Sequence, residues 1–411
     1  MNNVAITGRG LITPIGNGLL ENEISLVNGR SGIVLVEKWK ELGLDSHVAG
    51  VADEDPPCEL LDKKKKRFTS PNSRMAVAAA CEALEEAGLS LEDLKKYRVA
   101  IINGCAGSAY EEIYEGACAF AATGKVKKVK PFVVPRVMAS SAVSNLSLIL
   151  GITGETYNVS SACTSGAHAT MLGARLISSG MYDIVIAGGS EELNWVHALG
   201  FNAMRALSTK YNDVPSTASR PFDQSRDGFV IAEGAGILIL EKEEHARARG
   251  ASPKAFIKGA SANSNASDMV TPNADSSAAV MKMAIEDAGL KPDDIDYINT
   301  HGTATPVGDP VEMEALKQIF GNSRKSPAIN STKSMTGHMI GATGAVEVIY
   351  CTLMLEKQFI SPTINLKDPE SEFAWADLVR ETRKNVNIRY ALTNSFAFGG
   401  SNACIAISSA E

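Results

Sequence analysis

A unit of helix, turn and strand is written twice in this chain, and that repetition limits its possible folds more than any other feature. Glu85-Glu86-Ala87-Gly88-Leu89 returns as Glu286-Asp287-Ala288-Gly289-Leu290, 201 residues later. Each copy closes an apolar-periodic helix, and Gly88 or Gly289 suits the position just past a helix end where φ turns positive. An acidic second helix start follows in both copies, Leu91-Glu92-Asp93 and Pro292-Asp293-Asp294, and then a β-rich strand, Val99 to Ile102 and Tyr297 to Asn299. A second echo is the strand Asp183 to Ala187 ending in Gly188-Gly189-Ser190, matched 211 residues on by Phe396-Ala397-Phe398 ending in Gly399-Gly400-Ser401. Strands that alternate with helices of this length imply mixed or parallel sheets covered by helices. The repetition predicts two α/β halves, 1–250 and 251–411, related by a pseudo-two-fold axis. Ligands bind at strand carboxyl ends where connections part, so the chemistry is expected there.

A chain of 411 residues exceeds the size at which a single core stops growing, in keeping with two halves. Its net charge of −7 argues against a nucleic-acid partner. Yet Lys63-Lys64-Lys65-Lys66-Arg67 is an unbroken basic run, and Lys125, Lys127, Lys128 and Lys130 cluster. Basic patches on an acidic protein predict a compact acidic partner. There is no apolar run of the roughly 18 residues a membrane span needs, and Met1 to Pro14 lacks the basic end and apolar stretch of a signal peptide. A soluble, cytoplasmic protein is expected. The seven cysteines are odd in number and never in C-x-x-C spacing, so neither a zinc site nor a disulfide framework is predicted. Six of them are expected to be small buried hydrophobes.

The seventh, Cys163, has different surroundings. Tyr157-Asn158-Val159-Ser160-Ser161-Ala162-Cys163 reads as a short strand running into a turn of small residues, and Thr164 to Ser179 as a helix stopped by Gly180. Cys163 therefore sits at a helix N-terminus, where free N–H groups and the macrodipole favour a thiolate. A structural cysteine at a small-residue helix start is the alternative. Gly166, Ala167, Ala169, Gly173 and Ala174 let another backbone approach, and Gly341, Ala342, Gly344 and Ala345 do the same in the second half. These two helices are expected to pack together at the pseudo-axis. His168 is a poor match to the same helix face as Cys163, so any histidine partner should come from elsewhere.

Two loops offer one. Asn299-Thr300-His301-Gly302-Thr303-Ala304-Thr305 follows a predicted strand, which puts His301 at a strand carboxyl end beside the hydroxyls of Thr303 and Thr305. Ser331-Thr332-Lys333-Ser334-Met335-Thr336-Gly337-His338 follows another short strand and is the counterpart of the Cys163 segment. Glu347, in the apolar helix beyond, demands a charge partner, and Lys333 is the candidate, whether as a structural ion pair or as part of a site. Asn394-Ser395-Phe396-Ala397-Phe398-Gly399-Gly400 is a further Gly-rich turn whose N–H groups can act as oxyanion donors.

In combination, the Ser-Ala-Cys at 161–163, His-Gly-Thr at 301–303, Lys-Ser-Met-Thr-Gly-His at 333–338 and Asn-Ser-Phe-Ala-Phe-Gly-Gly at 394–400 resemble the elongating β-ketoacyl-(acyl-carrier-protein) synthases of fatty-acid synthesis. The resemblance covers nearly the whole chain. It implies a thiolase-like fold of layered αβαβα arrangement, an acyltransferase working as a homodimer, and no metal or other cofactor, since the substrates ride on the phosphopantetheine of acyl carrier protein. It further implies that Cys163 takes the acyl chain while the N–H groups of Cys163 and Phe398 hold the oxyanion. His301 and His338 would stabilise the enolate left when malonyl-carrier protein loses CO₂. Lys333 and Glu347 would hold the electrostatic network, and Thr303 and Thr305 the phosphopantetheine arm. Lys63, Lys64, Lys66, Arg67, Lys127, Lys128 and Arg205 would dock the carrier protein, and Phe396, Ala397 and Phe398 would gate the site.

Glu191-Glu192-Leu193-Asn194-Trp195, Leu207 to Asp213 and Asp268-Met269-Val270 look more like synthase I than synthase II. Ala397 stands where the family usually has glycine, and its methyl should stiffen the gate. A thiolase or chain-initiating synthase is disfavoured by the second histidine, and a noncatalytic chain-length subunit by Cys163. A ketosynthase of a polyketide or aryl-polyene pathway stays open.

Overall fold

A computed structural model describes residues 4–410. Each half runs through the same seven main elements. The first has strand β1 (Val4–Thr13), helix α1 (Pro71–Glu86), β2 (Val99–Gly104), β3 (Thr156–Val159), α2 (Ser165–Ser178), β4 (Ile184–Glu191) and β5 (Gly234–Lys242). The second has β6 (Ala255–Ser264), α3 (Ala274–Asp287), β7 (Tyr297–Asn299), β8 (Ala328–Asn330), α4 (Thr343–Lys357), β9 (Tyr390–Phe396) and β10 (Ser401–Ser409). Hydrogen bonding joins them in the order β3-β2-β4-β5-β1-β6-β10-β9-β7-β8, which reads the same from either end once the halves are exchanged. The centre of that order is the antiparallel pair β1–β6, where Val4, Ala5 and Ile6 oppose Ile257, Phe256 and Ala255.

Layering follows from which faces are apolar. Helix α1 covers the outside of the first half and α3 the outside of the second, while α2 and α4 lie between the two halves of the sheet. The middle core therefore mixes residues of both halves, Ala167, Met171 and Ala174 with Val346, Ile349 and Leu353. Two outer cores stay separate, one with Met75, Ile101 and Ile237, the other with Met281, Ile298 and Leu392. The sequence-derived expectation of a layered αβαβα fold with duplicated halves is met.

The predicted contact of the small-residue helices is present and reciprocal. A Cβ on Gly166 would lie 2.8 Å from Gly341 O and 3.0 Å from Ala345 N, and one on Gly344 would lie 2.7 Å from Ala167 N. Gly344→Ala is therefore expected to lower stability by about 1–3 kcal/mol through overpacking. An unchanged denaturation midpoint would mean that the helices are not in this contact.

Two expectations fail. Gly88 and Gly289 do take positive φ (65° and 69°), but the second echo does not join equivalent sites. Val99 pairs with Ile184 as Tyr297 pairs with Ala391, yet Gly188 and Gly189 lie inside β4, whereas Gly399 and Gly400 form the turn after β9. The first pair exists for close approach, since a Cβ on Gly188 would meet Gly236 O at 2.1 Å. The turn pair instead needs left-handed backbone, with φ 83° and 74°. The cysteines also differ from expectation: Cys105, Cys351 and Cys404 are buried, but Cys118 is exposed and Cys58 and Cys81 are only half-buried.

Candidate active site

Four loops at strand carboxyl ends meet in a cavity of about 410 Å³ lined by Cys163, His301, His338, Thr303, Thr305, Phe396 and Phe398, with Arg205 among its walls. Cys163 follows β3 and precedes α2, as expected, and the turn is strained: Ala162, immediately before it, has φ 51°. Ala304, between the two threonines, and Ile340, two residues beyond His338, are also left-handed. Loops held in this way are fixed by their surroundings. His338 is pinned by backbone bonds, donating from its N–H to Val230 O (2.7 Å) and accepting at its carbonyl from Ala232 N (2.9 Å). Gly337 allows this with φ 72°, where a Cβ would sit 2.9 Å from Val230 O.

The two imidazoles stand edge to face, ring centres 5.3 Å apart at 88°. His338 Nδ1 is bonded to Thr343 Oγ1 at 3.0 Å, while its Nε2 and the Nδ1 of His301 have no protein partner among the described residues. Burial holds both rings well below the ordinary histidine range, and the Lys333 charge lowers them further, so both are neutral near pH 7. Unpaired nitrogens buried against a cavity are donors or acceptors waiting for a ligand.

Lys333 and Glu347 are buried and joined, Nζ to Oε1 at 2.7 Å, with Thr332 Oγ1 donating to the same oxygen at 3.2 Å. Burial pushes the Glu347 carboxyl up to about 7 against the pull of Lys333. Cys163 overturns one sequence expectation. Burial pushes its thiol up to about 12, outweighing Lys333 and the N–H groups of Cys163 and Phe398 that face the sulfur. The helix terminus is present, but desolvation opposes it and holds the thiol up.

The gate residues divide. Phe396 is buried, 5.8 Å from the His301 ring, whereas Phe398 is 38% exposed and 6.4 Å from Phe201. Between them Ala397 donates to Ser401 O (2.8 Å), and Gly399 N donates to Met269 O (2.7 Å), tying this turn to the loop after β6. Thr303 and Thr305 touch through their hydroxyls at 3.2 Å. Lys63, Lys64, Arg67, Lys127, Lys128 and Arg205 are exposed and Lys66 half-buried beside Asp55. The rings of Phe68 and Phe132 pack 4.8 Å apart and hold the two basic segments side by side. Of these cations only Arg205 lines the cavity.

Sequence reasoning missed the groups that hold the loops. Glu191 accepts from Ala106, Gly107 and Gly341 N–H, at 2.9, 2.9 and 3.0 Å, and so bridges the two halves beside α2 and α4. Glu312 accepts from His301 N (2.8 Å) and Gly302 N (2.7 Å) and from Asn394 Nδ2 (3.1 Å). An acid one turn into the helix Gly308–Phe320, just after the His-Gly-Thr loop, was a usable signal for Glu312.

A thiol, two neutral imidazoles and converging N–H donors inside a duplicated αβαβα fold define the class of thiolase-like condensing enzymes. Residues 1–246 match the family described as Beta-ketoacyl synthase, N-terminal domain, and residues 254–367 match Beta-ketoacyl synthase, C-terminal domain. The chain belongs to the β-ketoacyl synthase family and is an acyltransferase. It is 43% identical over 407 residues to the 3-oxoacyl-[acyl-carrier-protein] synthase 1 of Haemophilus influenzae, which covers 98% of each chain. Over 406 residues it is 43% identical to the synthase 1 of Escherichia coli, again 98% of each, and 38% identical to the synthase 2 of Vibrio harveyi, 98% of this chain and 97% of that one. A β-ketoacyl synthase from Burkholderia phymatum superposes with TM-score 0.93 at 34% identity, covering 100% of both chains. A type II PKS ketosynthase bound to a hexaketide, in complex with its acyl-carrier protein, gives 0.91 at 31%, covering 99% of both.

Proposed function

We propose that this chain elongates fatty acyl groups as a β-ketoacyl-(acyl-carrier-protein) synthase, by decarboxylative Claisen condensation on Cys163. The observation that carries the reading is that Cys163, His301 and His338 line one cavity, each imidazole keeping a nitrogen without a partner among the described residues. The half 1–250 supplies the nucleophile and 251–411 the histidines.

In the first step Cys163 sulfur attacks the carbonyl of an acyl thioester delivered on phosphopantetheine. The N–H groups of Cys163 and Phe398 receive the developing oxyanion, the carrier thiol leaves, and the Cys163 proton ends on it. Thr303 and Thr305 hold the phosphopantetheine arm with their hydroxyls. In the second step malonyl-carrier protein loses CO₂, and His301 and His338 donate to the enolate oxygen. A Thr343 hydroxyl donating to Nδ1 would leave the His338 proton on Nε2 for this purpose. The carbanion then attacks the acyl carbonyl, a C–C bond forms, and Cys163 leaves as thiolate and is reprotonated. Each donor lost from such a site costs about 3 kcal/mol of transition-state stabilisation. Lys333 and Glu347 set the field, and Phe396, Ala397 and Phe398 control entry.

The partner is acyl carrier protein, docked by Lys63, Lys64, Lys66, Arg67, Lys127, Lys128 and Arg205. Charge reversal at Lys63 and Lys66 together is expected to raise KM for carrier-bound substrates about three- to tenfold at low salt, and less at high salt, with kcat unchanged. An unchanged KM at low salt would remove these lysines from the interface.

The working state assigned is a cytoplasmic homodimer. Among the described residues no helix is long and apolar enough to cross a membrane. Among the described residues the outer edge of the half-buried strand β3 is bare, whereas the matching edge of β8 is covered by Asp377–Leu378. A bare edge favours pairing with a second copy.

The test of the whole reading is to incubate the protein with malonyl-carrier protein and acyl-carrier proteins of several lengths and weigh the products. Extension by two carbons supports it, and free CO₂ without extension overturns it. Ala397 favours a second reading, a pathway ketosynthase with a narrowed substrate set, which would extend polyketide chains in preference to saturated ones.

A further inference from the structure

Cys58 and Cys81 lie apart from this cavity, 23 positions from one another in sequence, with their sulfurs 3.3 Å apart. Both are half-buried against the outer core of the first half, Cys81 on α1 and Cys58 in the turn just before the basic run. They are not equivalent. Cys58 is held down to about 6 first by its hydrogen bond with Cys81, then by the N–H groups of Leu60 and Leu61 and the charge of Lys65, while the same shared bond and burial hold Cys81 up. Lys65 is fixed in place, its Nζ donating to Leu60 O at 2.9 Å. A thiolate-prone, partly accessible cysteine beside a protonated neighbour is the arrangement of an attacking and a resolving thiol.

We propose that Cys58 and Cys81 form a redox-active dithiol that takes small-molecule disulfides as its substrate. Cys58 thiolate attacks one sulfur of the small disulfide, forming a mixed disulfide and releasing one small thiol. Cys81 then gives its proton to solvent and attacks the Cys58 sulfur, forming the Cys58–Cys81 bond and expelling the second small thiol. Two protein thiols are oxidised and one disulfide is reduced. The sulfurs need approach by only about 1.3 Å to reach bonding distance, a shift that the turn at Cys58 can supply. Closure ties the start of the Lys63–Arg67 run to α1 and is reversed by excess thiol. The dithiol does not depend on the condensation reading.

The test treats the full-length protein with oxidised glutathione, blocks remaining thiols with iodoacetamide and digests with trypsin. Cleavage within Lys63–Arg67 and at Arg74 separates the two cysteines, so the fragments carrying them should stay joined until reductant is added. Together they should be lighter by about 2 Da than the two reduced, unalkylated fragments. Cys81→Ser is expected to leave Cys58 carrying glutathione, and Cys58→Ser to leave Cys81 free of glutathione. The proposal falls if Cys58 and Cys81 of the wild-type protein are both alkylated after this treatment. It falls equally if Cys58 keeps glutathione while Cys81 is present, or if the exposed Cys118 reacts and this pair does not.

Discussion

Cys163→Ala is expected to abolish acyl transfer and to lower condensation by at least about 10⁴-fold, because the proposed mechanism carries the chain on this sulfur between the two half-reactions. The loss should be confined to chemistry. The side chain is half-buried beside a cavity, so removing the sulfur adds space to a void already there rather than opening one in a packed core. Thermal unfolding should shift by no more than a few degrees. Two measurements decide it: intact mass after incubation with acyl-carrier protein, which should show no acyl adduct, and a circular-dichroism melt. Undiminished condensation would exclude the mechanism outright.

The second large effect belongs to Lys333 and Glu347. Their side chains are 0% and 1% exposed, and Glu347 Oε2 has no partner among the described residues, so the carboxylate depends on the ammonium. Lys333→Ala is expected to cost about 3–5 kcal/mol of stability, since it leaves a buried carboxyl without its hydrogen-bonded counter-ion. Replacing both, as in Lys333→Met with Glu347→Leu, should return most of that stability, because paired apolar groups of similar volume need no mutual compensation. Condensation separates the two roles left open by the sequence. A purely structural ion pair predicts that the double variant regains activity with its stability. An electrostatic role predicts a stable protein that remains inactive, and this is the result expected, since the Lys333 charge acts on Cys163, His301 and His338 alike.

What could be read from the sequence was whatever local chemistry dictates. Gly88 and Gly289 were legible because a helix end with positive φ asks for glycine, and Cys163, His301 and His338 because reactive side chains at strand ends are few. Gly188-Gly189 was misread because glycine serves a turn and a close strand approach equally well, and only the neighbour, Gly236, tells them apart. Glu191 was seen only as part of a subtype signature. Its partners at Ala106, Gly107 and Gly341 are backbone groups 84 to 150 positions away, and backbone groups leave no trace in a sequence. The state of the Cys163 thiol was illegible for a different reason: a helix terminus is local, but desolvation is a property of the finished enclosure. The meeting of Cys58 with Cys81 likewise needs α1 in place.

The reciprocal glycine contact between α2 and α4 also bears on how such a site arises. An ancestor assembled from two identical copies would set the same small residues on both sides of that contact. Covalent fusion releases the copies from this identity, so that one face can specialise in attack and the other in handling the departing carboxyl group.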